Sequence, residues 1–383
     1  MKGFKNAKVY IEGEGIKYAD VLIDNGKIVK IGSDLDVSEP FSVPENAVVC
    51  PAFIDEHIHG AAGADAMDGS VSALKKIAVA LAKEGTANFL ATTMTQSEEN
   101  IVSALKSVKK YMAKPKNVGA KIVGVHLEGP FISEKHIGAQ PLQYLSDPDV
   151  KTFAKYYRAS GKNIKLVTLA PEEPNALSLI KYLYKNGITA SSGHSDAGVN
   201  DILTAKKYGL SCITHTYNAQ RGVHHREIGV AGSALLFDDL YTEVICDLIH
   251  VSAPAVKLLL KNKPKDKLIL ITDAMRAKGL KDGVSELGGQ TVIVKNGEAR
   301  LENGALAGSV LKMNIAVKNL VKTCGAEFTD AIDCASKNPA ENLKIYDRTG
   351  SIRTGKDADI TVLDDKFNVL LTLASGNVVY KRR

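Results

Sequence analysis

Tryptophan is absent from this 383-residue chain, and aromatic residues make up only 6% of it. No basic stretch is interleaved with aromatic side chains, so nothing offers a surface for stacking on bases and nucleic acid is not an expected partner. Nor does any apolar run approach the roughly 20 residues needed to cross a bilayer, so no membrane contact is expected. The N-terminal stretch MKGFKNAKVYIEGEGIKYADVLIDNGKIVKIG alternates in strand fashion and lacks the apolar core of a signal peptide. The five cysteines (Cys50, Cys212, Cys246, Cys324 and Cys334) are odd in number, widely spaced and without a CxxC pair. That pattern argues against a disulfide framework and against a thiolate zinc site, and a reduced, cytoplasmic protein is the expectation. The net charge of +6 comes from scattered lysines such as Lys75-Lys76 and Lys109-Lys110. This is a solvated surface, compatible with an anionic small substrate without requiring one.

What is present is a long, regular alternation. With 45% hydrophobic residues the chain can bury a large domain and a smaller one. Short apolar or β-branched runs fall at 48–55, 86–93, 121–127, 164–170, 187–192, 211–214, 243–248 and 267–272. Helix-like stretches fall at 70–84, 97–113, 147–159, 175–185, 199–208 and 252–262, with 309–322 and 328–336 following the eighth strand. Ser97 followed by Glu98-Glu99 has the form of an N-terminal cap with favourable first-turn charge. Eight strands alternating with helices predict a closed parallel barrel of the α/β class. The segment 216–242 is too polar and irregular for an ordinary crossover helix, and long irregular loops are more often functional than accidental. Residues 1–47 and 351–383 alternate in strand fashion, with Asn25-Gly26 and Gly376-Asn377 as turns, and predict one small β domain made from both ends.

The segment Phe53-Ile54-Asp55-Glu56-His57-Ile58-His59-Gly60 closes the first apolar run. Alternate side chains of a strand share a face, so His57 and His59 present two imidazoles to one ion; two unrelated surface histidines are the alternative. Glu128, His194, His215 and Asp273 fall at the ends of the third, fifth, sixth and eighth strands. In a parallel barrel those ends converge on the face that carries active sites. Singly, Glu128 could be a buried carboxylate satisfied by backbone donors, and His194 a loop histidine. Together, on the correct strand ends, they form a ligand set. Histidines with a carboxylate and no cysteine suit a catalytic Zn²⁺ or Fe²⁺, or Co²⁺ or Mn²⁺, that keeps a position open for water and raises its acidity. Asp273 is the candidate general base, a further ligand being its other reading. His224-His225-Arg226, in the loop after the sixth strand, is the candidate anion site, because the Arg fork matches phosphate or carboxylate; a solvated basic loop is the alternative. Asn218 and Ala219 lie between ligand and cluster, placed to bond a substrate. His126 is expected to support the site or sit in the core, and His136 is left without a role.

The ordered segments PAFIDEHIHG, HLEGPFI, SSGHSDAG, THTYNA, VHHREIG, ICDLIHV, LITDAM and LAGS span about residues 48–312. They resemble the N-acetylglucosamine-6-phosphate deacetylase family of the amidohydrolase superfamily. The resemblance implies a (β/α)8 TIM-like barrel, 48–350, inserted in a small β-sandwich formed by 1–47 and 351–383. It also implies hydrolysis of the acetamide of N-acetyl-D-glucosamine 6-phosphate to D-glucosamine 6-phosphate and acetate, in amino-sugar catabolism and cell-wall sugar recycling. By resemblance Glu128, His194 and His215 bind the main ion, and His57 and His59 complete a second position, giving one or two divalent ions per subunit. Asp273 becomes the catalytic base and acid. Asn218, Ala219, Arg226 and His250 surround the sugar phosphate, with Arg226 reaching across a homodimer interface, and Leu306-Ala307-Gly308 closes over the sugar.

Four positions depart from the family pattern: Ala52, Glu56, Gln220, and Gln140 after Gly138-Ala139, where many members have histidine. A Gln amide can donate to the acetamide carbonyl but cannot supply a proton. The implied reaction has water, activated at the ion with help from Asp273, attack the acetyl carbonyl while the ion and Gln140 stabilise the oxyanion; Asp273 then protonates the departing amine. Ring-opening amidohydrolases are the enzymatic rival. They need a carboxylated lysine at the end of strand four, where this chain has Leu166-Val167-Thr168-Leu169-Ala170-Pro171. A non-catalytic barrel would predict lost ligands, and none is lost.

Overall fold

Eight short strands lie side by side in parallel: Phe53–Ile58, Thr86–Thr93, Lys121–Glu128, Ile164–Leu169, Thr189–Ser192, Leu210–Ile213, Tyr241–Ile245 and Leu268–Ile271. The computed structural model describes residues 1–114 and 117–382. Every residue of the first, second, fifth and eighth of these strands is buried, which is why they are continuous apolar or small-residue runs rather than alternating ones. The barrel closes at its C-terminal rim, where Asp273 donates its backbone N–H to the His57 carbonyl at 2.8 Å and His59 donates to Ala274 at 2.9 Å. Closure therefore sets the eighth-strand carboxylate beside the first-strand histidines.

Six of the outer helices lie where the periodicity predicts them: Val71–Ala82, Glu98–Ala113, Val150–Ala159, Ala176–Lys185, Val199–Tyr208 and Ala253–Asn262. The second shows the reason. Ile101, Ala104, Leu105 and Val108 recur at helical spacing and are buried, while Ser97 Oγ accepts the Asn100 N–H at 3.3 Å.

Both chain ends do meet in one sheet. Lys2–Ile11, Gly15–Asp24 and Lys27–Gly32 join Ile360–Leu363, Val369–Ala374 and Asn377–Lys381 through Val48–Pro51. The apolar stretch expected as one strand over 48–55 is thus two. Val48–Pro51 pairs with Lys2–Ile11 and Ile360–Leu363, and the chain then turns at Ala52, whose N–H bonds Asp359, into the barrel. An apolar run has the same pattern whichever sheet it serves, so only pairing separates the halves.

Two elements lie outside the expected pattern. The irregular stretch 216–242 contains a helix, Gly229–Leu236, whose residues Gly229 to Ala234 are all buried, so no amphipathic stripe marks it. Between the eighth strand and the Met313–Lys322 helix, Gly283–Leu287, Gln290–Lys295 and Glu298–Leu301 form a three-stranded antiparallel sheet. Leu287, Val292, Val294, Ala299 and Leu301 pack it against Met94, Met275 and Ala307 at the rim, and Gln290 Nε2 donates to the Ala139 carbonyl at 2.7 Å.

Candidate metal-dependent active site

The first barrel strand carries a bulge: Asp55 and Ile58 oppose Phe89 and Ala91, three steps against two. An extra residue in one strand re-aims the side chains beside it, here Glu56 and His57. At the fifth, sixth and eighth strand ends the backbone is left-handed, with φ of 48° at His194, 27° at His215 and 48° at Asp273. Such conformations cost a non-glycine residue about 1–2 kcal/mol and persist where the surroundings over-determine them.

Glu128 is the hub. Its Oε1 lies 3.3 Å from His57 Nε2, 3.3 Å from His194 Nε2 and 3.2 Å from His215 Nε2; its Oε2 lies 3.2 Å from His59 Nε2. Asp273 Oδ1 is 3.4 Å from His57 Nε2 and 3.2 Å from His59 Nε2. Two overlapping donor groups result, His57/His59/Glu128 and Glu128/His194/His215, each with ligand atoms within 4.8 Å of one another.

The outer hydrogen bonds show what these groups face. His194 Nδ1 donates to the His136 carbonyl at 2.9 Å, and His57 Nδ1 donates to Glu243 Oε2 at 3.2 Å. With the proton on Nδ1, each neutral ring aims an Nε2 lone pair at carboxylate oxygens, and His194 Nε2 also faces His215 Nε2 at 3.1 Å. Acceptors facing acceptors require a cation between them, so the donor set fits divalent ions. In the protein alone a proton takes the place of that cation. Burial works against protonating His57, yet the carboxylates of Glu128 and Asp273 outweigh it and hold the imidazole well above its usual range. Burial likewise opposes protonation of His59, and hydrogen bonds to Asp273 and Glu128 carry it to about 10. Burial pushes Glu128 up, and the surrounding imidazoles, His57 foremost, pull it well below the carboxylate range. Positive charge is what this cluster is built to take.

Above the hub opens a pocket of about 240 Å³. His59, Glu128, Ala139, Gln140, His194, His215, Asn218, Ala219, His250, Asp273, Leu306 and Gly308 line it, all named from the sequence. His250 Nδ1 is held by Asp247 Oδ2 at 2.6 Å, which leaves Nε2 for a ligand. Gln140 spends one amide hydrogen on Glu128 Oε2 at 2.9 Å, and its carbonyl accepts the Thr95 N–H at 2.8 Å, which leaves the second amide hydrogen available. His57 and Ala307 are buried behind the lining. Arg226 is not brought to the pocket: it stands on an exposed turn with Nη1 2.7 Å from His225 Nε2.

A model of the amidohydrolase family matches residues 48–379. The chain belongs to the amidohydrolase family. An N-acetylglucosamine-6-phosphate deacetylase of Bacillus subtilis (strain 168) is 44% identical over 98% of this amidohydrolase and 96% of its own length. An N-acetylgalactosamine-6-phosphate deacetylase of Escherichia coli O157:H7 is 36% identical over 86% and 88%. The crystal structure of an N-acetylglucosamine-6-phosphate deacetylase from Thermotoga maritima superposes with a TM-score of 0.91 at 36% identity, covering 99% of this chain and 100% of that one.

Several site residues of this amidohydrolase escaped the sequence. Met94 and Leu287 are the apolar wall of the pocket, and Leu287 comes from the unforeseen three-stranded sheet. Glu243, on the seventh strand, orients both His57 and the backbone of His215 (N–H to Oε2, 3.1 Å). A charged residue inside the apolar stretch TEVIC was the signal available for it. His126 donates to or accepts from Thr168 Oγ1 at 2.7 Å and packs edge-on against His57; burial and the His57 charge keep it well below the usual imidazole range. His136 has two roles: its carbonyl orients His194, and its ring meets Asp196 at 3.2 Å.

Proposed function

We propose that this amidohydrolase removes the acetyl group of N-acetyl-D-glucosamine 6-phosphate, releasing D-glucosamine 6-phosphate and acetate, in amino-sugar catabolism and cell-wall sugar recycling. The observation that carries the reading is the convergence of four histidines, Glu128 and Asp273 at the floor of a small pocket, in a chain 44% identical end to end to a deacetylase of that specificity. Glu128, His194 and His215 would hold one ion, with His57 and His59 completing a second position beside Glu128; zinc or iron, or cobalt or manganese, suit this set. When bound, a divalent ion supplies Lewis acidity toward the carbonyl oxygen and raises the acidity of water.

The chain's own residues do the rest. Asp273 faces the pocket and can accept a proton from the attacking water at a carboxylate oxygen, then return it to the nitrogen as the C–N bond breaks. The second amide hydrogen of Gln140 reaches toward the developing oxyanion. Met94 and Leu287 exclude water from the acyl side, while Asn218, Ala219 and His250 offer hydrogen bonds to the sugar phosphate. Leu306, Ala307 and Gly308 cover the sugar. Arg226, exposed and away from its own pocket, is assigned to the phosphate of a partner subunit in a homodimer. Five free, buried cysteines fit a cytoplasmic setting, and among the described residues no helix is long and apolar enough to cross a membrane.

The test is acetate release from N-acetylglucosamine, N-acetylgalactosamine and N-acetylmannosamine, each with and without the 6-phosphate, with metal content measured on the same sample. Highest kcat/KM for phosphorylated N-acetylglucosamine supports the reading. Preference for phosphorylated N-acetylgalactosamine, the substrate named for the 36% relative, would redirect the specificity; no release from any of them would refute it.

A further inference from the structure

Beneath the hub lies a second group of polar side chains that the hydrolysis does not use. Glu56, the residue that sets this HxH strand apart from the family pattern, is fully buried, as is Glu243 on the seventh strand. Asn342 Nδ2 donates to Glu56 Oε1 at 2.8 Å. Glu243 Oε2 accepts two hydrogen bonds, from His57 Nδ1 at 3.2 Å and from the His215 backbone at 3.1 Å. The remaining oxygens, Glu56 Oε2 and Glu243 Oε1, have no hydrogen-bond partner among the described residues, and the two carboxyl groups and Cys212 Sγ come within 4.8 Å of one another. Buried polar atoms are rarely left unmatched, and one proton held between the two carboxyl groups would match them. The bulge at Glu56-His57 makes the arrangement possible, setting both neighbours against the same seventh-strand carboxylate.

We propose that Glu243 is a positioning residue for the second metal position: it fixes His57 with its proton on Nδ1 and its Nε2 aimed at the ion, and Glu56, anchored by Asn342, braces Glu243 from the far side. This rests on the two-ion reading given above. The bracing explains why a second fully buried carboxyl group follows Asp55, which Thr272 already satisfies, and why it is next to His57 rather than His59. His59 has no such brace: its Nδ1 is buried without a partner among the described residues.

The proposal predicts a selective effect, measured on zinc-loaded protein by chelator-competition titration and elemental analysis. Wild type binds two ions. Glu243→Ala and Glu56→Leu weaken the second ion about 10–100-fold, the range for losing an outer partner of a ligating histidine, while the ion at Glu128, His194 and His215, reached only through the Glu243 bond to the His215 backbone, weakens less. Glu56→Gln, which keeps a donor toward Glu243 and an acceptor for Asn342, stays near wild type. Glu243→Gln, isosteric and so safe for folding, weakens the second ion in the same direction but less. If wild type binds two ions and Glu243→Gln and Glu243→Ala leave the second affinity unchanged, or weaken both ions equally, the positioning role is overturned and the two-ion reading stands. Were wild type to bind only one ion at saturating zinc, the two-ion reading would fail first and the proposal with it. A third ion lost on Glu56→Gln would make Glu56, Cys212 and Glu243 a cation site and overturn the bracing role.

Discussion

Replacing Lys278 with methionine tests how the rim of the barrel is tied together. Lys278 Nζ lies 2.8 Å from Glu84 Oε2, with side-chain exposures of 1% and 4%. Glu84, just past the Val71–Ala82 helix, also accepts the N–H of Met313, and the Lys278 carbonyl accepts the N–H of Ala62, each at 2.8 Å. The pair therefore joins the first helix, the loop that follows Asp273 and the start of the Met313–Lys322 helix. Burial already pushes the Glu84 carboxyl above its ordinary value despite the Lys278 ammonium.

In Lys278→Met the folded protein must bury a bare carboxylate, at about 3–5 kcal/mol, or protonate it. Protonation from an unfolded-state value near 4.3 costs about 1.4 kcal/mol per pH unit, so about 3.7 kcal/mol at pH 7. The cheaper route caps the loss at about 3–4 kcal/mol, or roughly 4–5 °C for a chain of this length. The sign follows from the shift. A carboxyl whose folded value exceeds its unfolded one loses stability as pH rises, so the variant's defect shrinks, by at most about 1.4 kcal/mol per unit, from pH 7 toward pH 5. Melting by circular dichroism at pH 5 and 7 measures both effects, and Lys278→Met/Glu84→Leu should recover most of the loss. A single variant melting within about 1 °C of wild type at pH 7, or losing equally at both pH values, would refute the reasoning.

Asp273→Asn should keep metal content and substrate binding while kcat falls about 10²–10⁴-fold, the usual range for a lost general base; steady-state kinetics with elemental analysis decides, and near-normal turnover would remove the base assignment. Arg226→Ala should raise KM about 10–100-fold with little change in kcat, as expected for a charge-assisted bond to phosphate; an unchanged KM would return the His224-His225-Arg226 turn to a solvated basic loop. Burial raises the Asp333 carboxyl to about 6, although it accepts the Tyr10 hydroxyl at 2.8 Å. It therefore costs stability as pH rises from about 4 to 6, and Asp333→Asn should flatten that slope and stabilise the protein at pH 7 by at most about 3 kcal/mol, read from urea unfolding across pH. Stripping divalent metal with a chelator should abolish acetate release and lower the melting temperature, both restored by zinc, iron, cobalt or manganese. Restoration of neither would sever the carboxylate–histidine cluster from ion binding.

Much of the fold was legible because its signals are local. Parallel strands buried on both faces are apolar wherever they occur, and helices against them repeat apolar residues at helical spacing, as at Ile101, Ala104, Leu105 and Val108. Where those conditions lapse, so does legibility. In the Gly229–Leu236 helix, Gly229 to Ala234 are all buried and show no stripe, and Val48–Pro51 has the same apolar pattern as the barrel strand it precedes. The site residues at strand ends stood out because charged groups closing apolar runs are few. Glu243 did not, because it sits inside its strand and its importance lies in a hydrogen bond to a residue 186 positions away.

The sequence by itself determined which chemistry is available: four histidines and two acids at strand ends, no thiolate pair, and an arginine in the long sixth loop. Tertiary structure decided what those groups do to one another. Closure of the barrel puts Asp273 within 3.2 Å of His59, and outer partners on His57 and His194 set the tautomers that turn lone pairs toward Glu128. It also placed Leu287 of the three-stranded sheet in the pocket wall and left Arg226 outside its own pocket. The physical reason is one of range. Hydrophobic periodicity is written in neighbouring residues, whereas a proton's place on an imidazole depends on the group that happens to lie 3 Å from its other nitrogen.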